Sequence, residues 1–403
     1  MSIQLEQHTY IANSNLKKLS IKFGFSVFLS CINALASAEA PHSEQSIYSA
    51  ATFDKHNQLW RITPQRNYMV VDYSTDKGRT FSNPVRINTE PQNINVRNKN
   101  KPSISVDKLG RIYVLYSADD KQKSTVFFSK SNDGKHFSEP IKISLQADLN
   151  YHYQAEMLVA KQGKVHFIWH DDRDSDEYKQ QGGGDLSMYY TSANTNKTIN
   201  FLSEYRIAKN ICSCCRTAMA LDNHNKPMIL ARFVFPNTIR DLGLIKPIAE
   251  TETAETWRVT FDNWKLEGCP TQGPALSISK TGRHHMAWFT LGNQRQGLFY
   301  AWSDDQGKSF SSPLAFGNPD KLPARADVLA LGKQVALTWE EFDGIKTQIM
   351  AMHSVDQGLN WSEPILMAET ETLSSYPTLL DDGHKIYLSW NSVGTGFHLL
   401  PID

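Results

Sequence analysis

The chain contains 403 residues, in which 42 lysines and arginines balance 42 aspartates and glutamates, so the formal net charge at pH 7 is zero. A balanced charge argues against a protein whose main role is to bind nucleic acid or an anionic membrane. The length exceeds that of one small core but suits a single large repeat domain, and the aromatic content of 11% favours β-sheet.

The N-terminal segment has the pattern of an export signal. Three lysines precede the apolar run Phe23–Ala36, which ends in small residues up to Ala38 and is too short to span a membrane. We therefore predict that residues 1–38 form a signal peptide, that residues 39–403 form one domain, and that the protein is periplasmic or secreted. Lipidation at Cys31 is the alternative.

A polar octad with the pattern Ser-x-Asp-x-Gly-x-x-Phe/Trp recurs along the chain. In such a stretch Ser and Asp bond the backbone two residues later, Gly supplies a positive φ, and the aromatic ring fills the gap between strands. Each copy therefore predicts a strand–turn–strand unit, and the repetition predicts a repeat fold. The copies are Ser74–Phe81, Ser303–Phe310, Ser354–Trp361 and the shortened Ser131–Phe137.

An apolar strand, a polar turn and a second apolar strand follow one another seven times. Successive second strands lie roughly 50 to 60 residues apart, the size of a four-stranded propeller blade. We predict an all-β propeller of seven blades, with six blades plus an insertion as the alternative. The seventh repeat ends after its third strand, so we expect residues 40–47 to supply the missing outer strand. The predicted first strands are Ser49–Phe53, Pro102–Val106, Ala155–Ala160, Thr217–Leu221, Pro274–Ser279, Asp327–Leu331 and Tyr376–Leu380.

The octads resemble the Asp-box, or BNR, repeats of the sialidase-like β-propellers. The resemblance implies that each octad turn joins the third and fourth strands of a blade, on the rim opposite the binding face. Two further segments, Cys212–Arg216 and Gly268–Pro274, resemble an exported branch of Asp-box proteins described as sialidase-like. If the chain is an enzyme, the resemblance implies an exo-sialidase-like glycoside hydrolase.

We label the four strands of a blade A to D from the axis outwards. Loops that lead into an A strand (DA loops) and loops from B to C (BC loops) lie on one face of a propeller, the upper face. The DA loop of the fourth repeat carries Cys212, Cys214 and Cys215, and that of the fifth carries Cys269. All four cysteines of the mature chain are therefore predicted to converge between neighbouring blades.

Three chemistries fit this cysteine cluster. Two disulfides would pin the loops, each contributing on the order of 2–4 kcal/mol, as expected in an oxidising compartment, and would require no cofactor. Thiolates also favour Cu(I) or Zn, and His170 or Met219 would complete such a site. A redox-active dithiol is the third alternative.

Sialidases hold the substrate carboxylate with three arginines and use a Tyr nucleophile assisted by Glu, together with an Asp acid/base. Asp171 and Asp172 follow a strand end and are the candidate acids, with a solvated acidic loop as the alternative. By position, Tyr153 and Glu340 are the candidate nucleophile and its partner. The family motif Arg-Ile-Pro does not precede Ser49, so no motif assigns the arginines.

The candidate ligand-binding residues lie in DA and BC loops of the upper face. Guanidinium groups bind carboxylates through two parallel hydrogen bonds, which favours arginines as anion clamps. The candidates are Arg97, Arg232, Arg325, His170 and Trp169.

Two functions follow. The first is binding, and hydrolysis if the protein is catalytic, of a glycan or other anionic ligand in an axial pocket. The second is a non-enzymatic periplasmic module that binds Cu, Zn or a protein partner through the cysteine cluster.

Overall fold

The computed structural model describes residues 47–403 except 99, 121–122, 146–150, 176–185, 197–198, 200 and 202. The predicted signal peptide and residues 40–46, which were expected to complete the last blade, lie outside the described residues. Within the described part of the chain, no helix combines the length and the apolar character that a membrane span needs.

The described strands form seven antiparallel sheets. Chain order and spatial order agree in all of them except the second, in which the first two strands both pair with the third. Blade 1 contains β1 (Ala50–Phe53), β2 (Leu59–Gln65), β3 (Tyr68–Ser74) and β4 (Val85–Arg86). Blade 2 contains β5 (Asn93–Ile94), β6 (Ser103–Val106), β7 (Ile112–Asp120), β8 (Lys123–Ser131) and β9 (Ile141–Lys142). Blade 3 contains β10 (His152–Val159), β11 (Lys164–Asp171), β12 (Leu186–Asn194) and β13 (Tyr205–Ile211). Blade 4 contains β14 (Ala218–Leu221), β15 (Pro227–Arg232), β16 (Leu242–Ile248) and β17 (Thr253–Arg258).

The remaining blades follow the same plan, and the last has three described strands. Blade 5 contains β18 (Ala275–Ile278), β19 (His284–Leu291), β20 (Gln296–Ser303) and β21 (Leu314–Phe316). Blade 6 contains β22 (Ala324–Leu331), β23 (Gln334–Phe342), β24 (Thr347–Ser354) and β25 (Ile365–Thr370). Blade 7 contains β26 (Thr378–Asp381), β27 (Ile386–Ser392) and β28 (Gly396–Ile402). Short 3-10 helices occupy Lys161–Gly163, Pro236–Thr238 and Pro319–Lys321.

The blades close into a ring. Each A strand contacts the A strand of the next blade, from β1 to β6 and onwards, and β26 of the last blade returns to β1. The prediction of an all-β, seven-bladed propeller is confirmed, and the six-bladed alternative is wrong because every predicted repeat forms its own sheet.

The hydrophobic core is divided among the contacts between blades. Seven apolar clusters each join two neighbouring blades, including one that joins blade 7 to blade 1 through Tyr387 and Phe53. Along a B strand successive side chains face opposite neighbours, so Val114 packs towards blade 1 and Leu115 towards blade 3. This arrangement explains the period-two pattern, since both faces of each inner strand are buried.

The octad turns join C and D strands. In the first copy, Ser74 Oγ accepts hydrogen bonds from the backbone N of Asp76 (3.2 Å) and Gly78 (2.8 Å), and Asp76 Oδ1 accepts one from Thr80 N (2.9 Å). Gly78 has φ +83°, which an L side chain rarely adopts. The octad aromatic packs on the preceding blade, as Phe81 does edge-on against Phe397.

Candidate functional site on the upper face

The structure brings the four cysteines of the fourth and fifth DA loops together. Cys214 and Cys269 form a disulfide with a Cα–Cα distance of 6.0 Å. Cys212 and Cys215 are free and buried, with their sulfurs 2.7 Å apart, and Cys212 Sγ lies 3.7 Å from Cys214 Sγ. One disulfide is therefore present, whereas the expected second pair is a pair of thiols.

The two thiols differ in acidity. The hydrogen bond from Cys215 lowers the pKa of Cys212 to about 7, and the charges of Arg232 and Arg240 act in the same direction. Burial raises the pKa of Cys215. His170 does not contribute to the group of ligand atoms that converge here, which consists of the three sulfurs of the fourth DA loop.

Arg232 was predicted to clamp an anion, and the structure contradicts this. Its side chain is buried, and its guanidinium donates to the carbonyl oxygens of Gln272 (3.1 Å), Phe289 (2.7 Å) and Arg240 (2.5 Å). Because these donors are directed at the backbone of neighbouring loops, Arg232 holds the loops around the cysteines and does not face a ligand.

Asp171 was a candidate general acid, and its surroundings rule out that role. The side chain is fully buried, and it accepts hydrogen bonds from Trp169 Nε1 (2.9 Å) and Arg173 Nη2 (2.6 Å). Burial alone would raise its pKa, but His152, whose Nε2 lies 3.1 Å away, and these donors lower the pKa far below the usual range. A carboxylate that stays ionised and sealed cannot supply a proton.

Trp169 and His170 were predicted to contact a ligand, but both are core residues. Trp169 is fully buried in the cluster between blades 2 and 3. His170 is fully buried, its Nε2 lies 2.9 Å from Thr217 Oγ1, and burial lowers its pKa to about 4. Both lie within β11, which continues to Asp171 and is buried to its end, so neither belongs to a loop as predicted.

Three other candidates lie near the surface. Asp172 Oδ1 accepts a hydrogen bond from Tyr151 N (2.8 Å), and Tyr153 stacks on Tyr151 at 5.9 Å. Burial, followed by the nearby Asp172 charge, raises the pKa of Tyr153 to about 12, which opposes its prediction as a nucleophile. Arg97 is exposed and donates to Asn95 Oδ1 (2.6 Å).

A cavity of about 210 Å³ lies among the inner strands and DA loops of several blades. Its charged lining residues are Lys101 of blade 2, Glu156 of blade 3 and Arg216, which directly follows Cys215. Blades 1 and 7 contribute small and apolar side chains together with Ser49 and Ser389. The cavity therefore combines both signs of charge with hydroxyl groups.

Three cationic side chains from different blades meet at Tyr376 of blade 7. Lys101 Nζ donates to the Tyr376 carbonyl oxygen at 2.7 Å. The guanidinium carbons of Arg216 and Arg325 lie 5.2 and 4.4 Å from the centre of the Tyr376 ring. Arg325 also forms an ion pair with Glu340, although the two were predicted in separate roles, Arg325 as an anion clamp and Glu340 as the partner of the nucleophile.

Burial shifts the pKa values of the charged side chains around the axis. Burial, reinforced by Arg216, lowers the pKa of Lys101 to about 7, and burial raises the pKa of Glu156 to about 7. Burial also raises the pKa of Asp327 and of Glu340. Near neutral pH, Lys101 and Glu156 are thus both poised to change protonation state.

The register of two A strands breaks beside the axial carboxylates. In β10 the pairing shifts between Tyr153 and Glu156, and Gln154 has φ +48°. In β22 it shifts in the corresponding way before Asp327, and Arg325 has φ +56°. Such bulges redirect side chains, and left-handed backbone at a non-glycine residue is strained, which is common at functional sites.

Sequence reasoning missed Lys101, Glu156, Arg216 and Tyr376. Glu156 had a usable signal, because it stands between the buried residues Ala155 and Met157 of an A strand, where a charged side chain must face the axis. Of the other three, Arg216 follows a cysteine, whereas Lys101 and Tyr376 precede prolines in DA loops. Only the closed ring brings them together.

No protein-family model matches the sequence, and a comparison with curated proteins gives no match. The structure is similar to the BP39L lectin of Burkholderia pseudomallei (TM-score 0.57, 12% identity, 89% of this chain and 99% of that one). It is also similar to a protein of unknown function from Dyadobacter fermentans (0.52, 15%, 76% and 94%) and to the polysaccharide lyase Uly1 (0.51, 9%, 92% and 92%). These similarities establish the fold. At such low identity they establish nothing further.

Proposed function

We propose that the protein binds a small acidic carbohydrate in its axial cavity. The observation that carries the proposal is the meeting of Lys101, Arg216 and Arg325 at Tyr376, beside a cavity that Lys101 and Arg216 line. Each cation comes from a different blade, so the cluster depends on the whole ring.

The chemistry of the cavity suits a sugar that carries a carboxylate. Guanidinium forks bind carboxylates bidentately, and stacking on Tyr376 orients both arginines before a ligand arrives. Glu156 and the serine hydroxyls of the lining provide acceptors and donors for sugar hydroxyls. The volume of about 210 Å³ is below the roughly 300–1,000 Å³ of sites for drug-sized ligands, which favours one sugar unit over an oligosaccharide.

Two solved structures of the same fold support this class of ligand by their names, a lectin and a polysaccharide lyase. For the family, our hypothesis remains a sialidase-like protein with Asp-box turns. In such a protein Lys101, Arg216 and Arg325 would take the role of the three arginines that hold the substrate carboxylate in sialidases. Hydrolysis is a separate hypothesis, and Glu156 replaces Asp171 as its candidate acid because its pKa of about 7 keeps a proton available. The Cys214–Cys269 disulfide supports the proposed exported location, since disulfides persist in oxidising compartments.

Calorimetric titration with N-acetylneuraminic acid, glucuronic acid and the neutral sugars glucose and N-acetylglucosamine tests the proposal. We expect an acidic sugar to bind and the neutral sugars not to bind. Arg216→Gln removes a hydrogen bond to a charged group, worth about 1.5–3 kcal/mol, and should weaken binding about 10- to 100-fold. Arg79→Gln is the control, because Arg79 is exposed in an octad turn.

Equal affinity for acidic and neutral sugars, or equal affinity of wild type and Arg216→Gln, would refute the proposal. Release of free sugar from a fluorogenic sialoside, lost in Glu156→Gln, would extend it to hydrolysis.

A further inference from the structure

The cysteine cluster has a charge arrangement that one disulfide and two thiols do not explain. Arg232 is buried, and its hydrogen bonds go to carbonyl oxygens, with no carboxylate paired to it among the described residues. The carbonyl oxygens satisfy its hydrogen-bond donors but do not neutralise its charge, and a buried charge favours a counter-ion beside it. The backbone N of Cys212 donates to the carbonyl oxygen of Arg232 (2.9 Å), so the cysteine loop lies directly beside this buried arginine.

The sulfurs are also placed as metal ligands. The Sγ atoms of Cys212, Cys214 and Cys215 all lie within 4.8 Å of one another. An ion bound at about 2.3 Å by three thiolates in one plane places the sulfurs about 4 Å apart. The Cys212–Cys214 distance of 3.7 Å is close to this value, and Cys215 must move about 1 Å away from Cys212.

We propose that Cys212, Cys214 and Cys215 bind one soft metal ion, Cu(I) or Zn(II), and that the bond between Cys214 and Cys269 closes this site by withholding the third thiolate. Thiolates select these ions, and a centre of three thiolates with either ion is anionic. Arg232 and Arg240 then supply the compensating positive charge, which gives the buried arginine its counter-ion.

The switch between the two states is a balanced reaction. A dithiol reductant gives two electrons and two protons to the Cys214–Cys269 disulfide, the S–S bond breaks, and two thiols form while the reductant becomes a disulfide. The metal ion then displaces the thiol protons of its three ligands into solvent. In the reverse direction a disulfide oxidant accepts two electrons and two protons, the Cys214–Cys269 bond re-forms, the ion leaves, and Cys212 and Cys215 take protons back from solvent.

Cys269→Ser is the sharpest test, because it frees Cys214 permanently. In a Cys31→Ser background, which leaves four cysteines of the five in the chain, we expect Cys269→Ser to bind one equivalent of metal without any reductant. The parent protein should bind one equivalent only after anaerobic reduction. Cu(I) is titrated against bicinchoninate and Zn(II) against a chromophoric chelator, which distinguishes the two ions.

Cys212→Ser and Cys215→Ser, each added to Cys269→Ser, should lower the metal affinity at least about tenfold. Losing a residue that binds the metal directly should cost no less than losing a residue that only hydrogen-bonds to a ligand. Circular dichroism and the melting temperature of each metal-free variant show whether it is folded, and metal should raise the melting temperature of Cys269→Ser alone. Less than one equivalent of both ions in folded Cys269→Ser and in the reduced parent overturns the proposal, as does equal affinity in the serine variants.

Discussion

Polar side chains on the two faces of the ring find their partners in different ways. On the lower face, which carries the octad turns, Ser74 and Asp76 of the first octad accept hydrogen bonds from backbone groups two to four residues away. On the upper face, Arg232 of blade 4 donates to carbonyl groups beside and within blade 5, and Lys101 of blade 2 donates to Tyr376 of blade 7. The lower face is therefore built from local motifs, whereas the upper face depends on long-range contacts that a short stretch of sequence does not reveal.

The largest expected effect comes from breaking a long-range contact. Arg232→Met removes the donor from three carbonyl oxygens, each of which costs about 1–3 kcal/mol when left unpaired, so we expect the free energy of unfolding to fall by about 3 kcal/mol. Urea denaturation measures the change. Arg79→Met, on the exposed part of an octad turn, should stay within about 0.5 kcal/mol of wild type. Equal stability of the two variants would contradict the comparison.

A smaller loss of stability is expected from breaking a local octad turn. A second glycine with a positive φ but open surroundings separates backbone strain from steric overlap. A Cβ at Gly358 (φ +83°) would overlap the hydroxyl of the buried Tyr300 ring and approach its Cζ to 2.8 Å. Gly344 has φ +99° with open space around it. We expect Gly344→Ala to lose about 1–2 kcal/mol from backbone strain, and Gly358→Ala to lose about 1 kcal/mol more from overlap.

Thermal or urea unfolding of both glycine variants gives the measurement. If Gly358→Ala were no less stable than Gly344→Ala, the octad would act through its turn alone, and the packing of each turn on the preceding blade would contribute nothing.

The same contrast between local and long-range contacts explains which features of the molecule the sequence predicts. The blade count, the A strands and the octad turns were predictable because they depend on period-two patterns and on bonds within a few residues. The convergence of the cysteines followed from the blade count alone. The role of Asp171 was not predictable, because its carboxylate is buried against Arg173 and against His152 of the neighbouring strand. Glu156 carried a signal in its strand, but the bulge at Gln154 beside it did not.

The smallest predicted effect is a pH dependence at the axis. Lys101 and Glu156 both have a pKa of about 7, so both gain a proton between pH 8 and pH 6, and the cavity becomes more positive. We therefore expect an acidic sugar to bind up to about tenfold more tightly at pH 6 than at pH 8, since attraction to a carboxylate rises with the added charge. Calorimetry at pH 6, 7 and 8 measures this change.

Glu156→Gln should keep the affinity high at pH 8 and leave only the part of the pH dependence that Lys101 supplies. The same variant should raise the melting temperature more at pH 8 than at pH 5, because the raised pKa of Glu156 makes stability fall as the pH rises from the unfolded pKa to the folded pKa of about 7. A pH-independent affinity together with an unchanged melting temperature would mean that water reaches both side chains freely. The upper face would then lack the buried charges that distinguish it from the lower face.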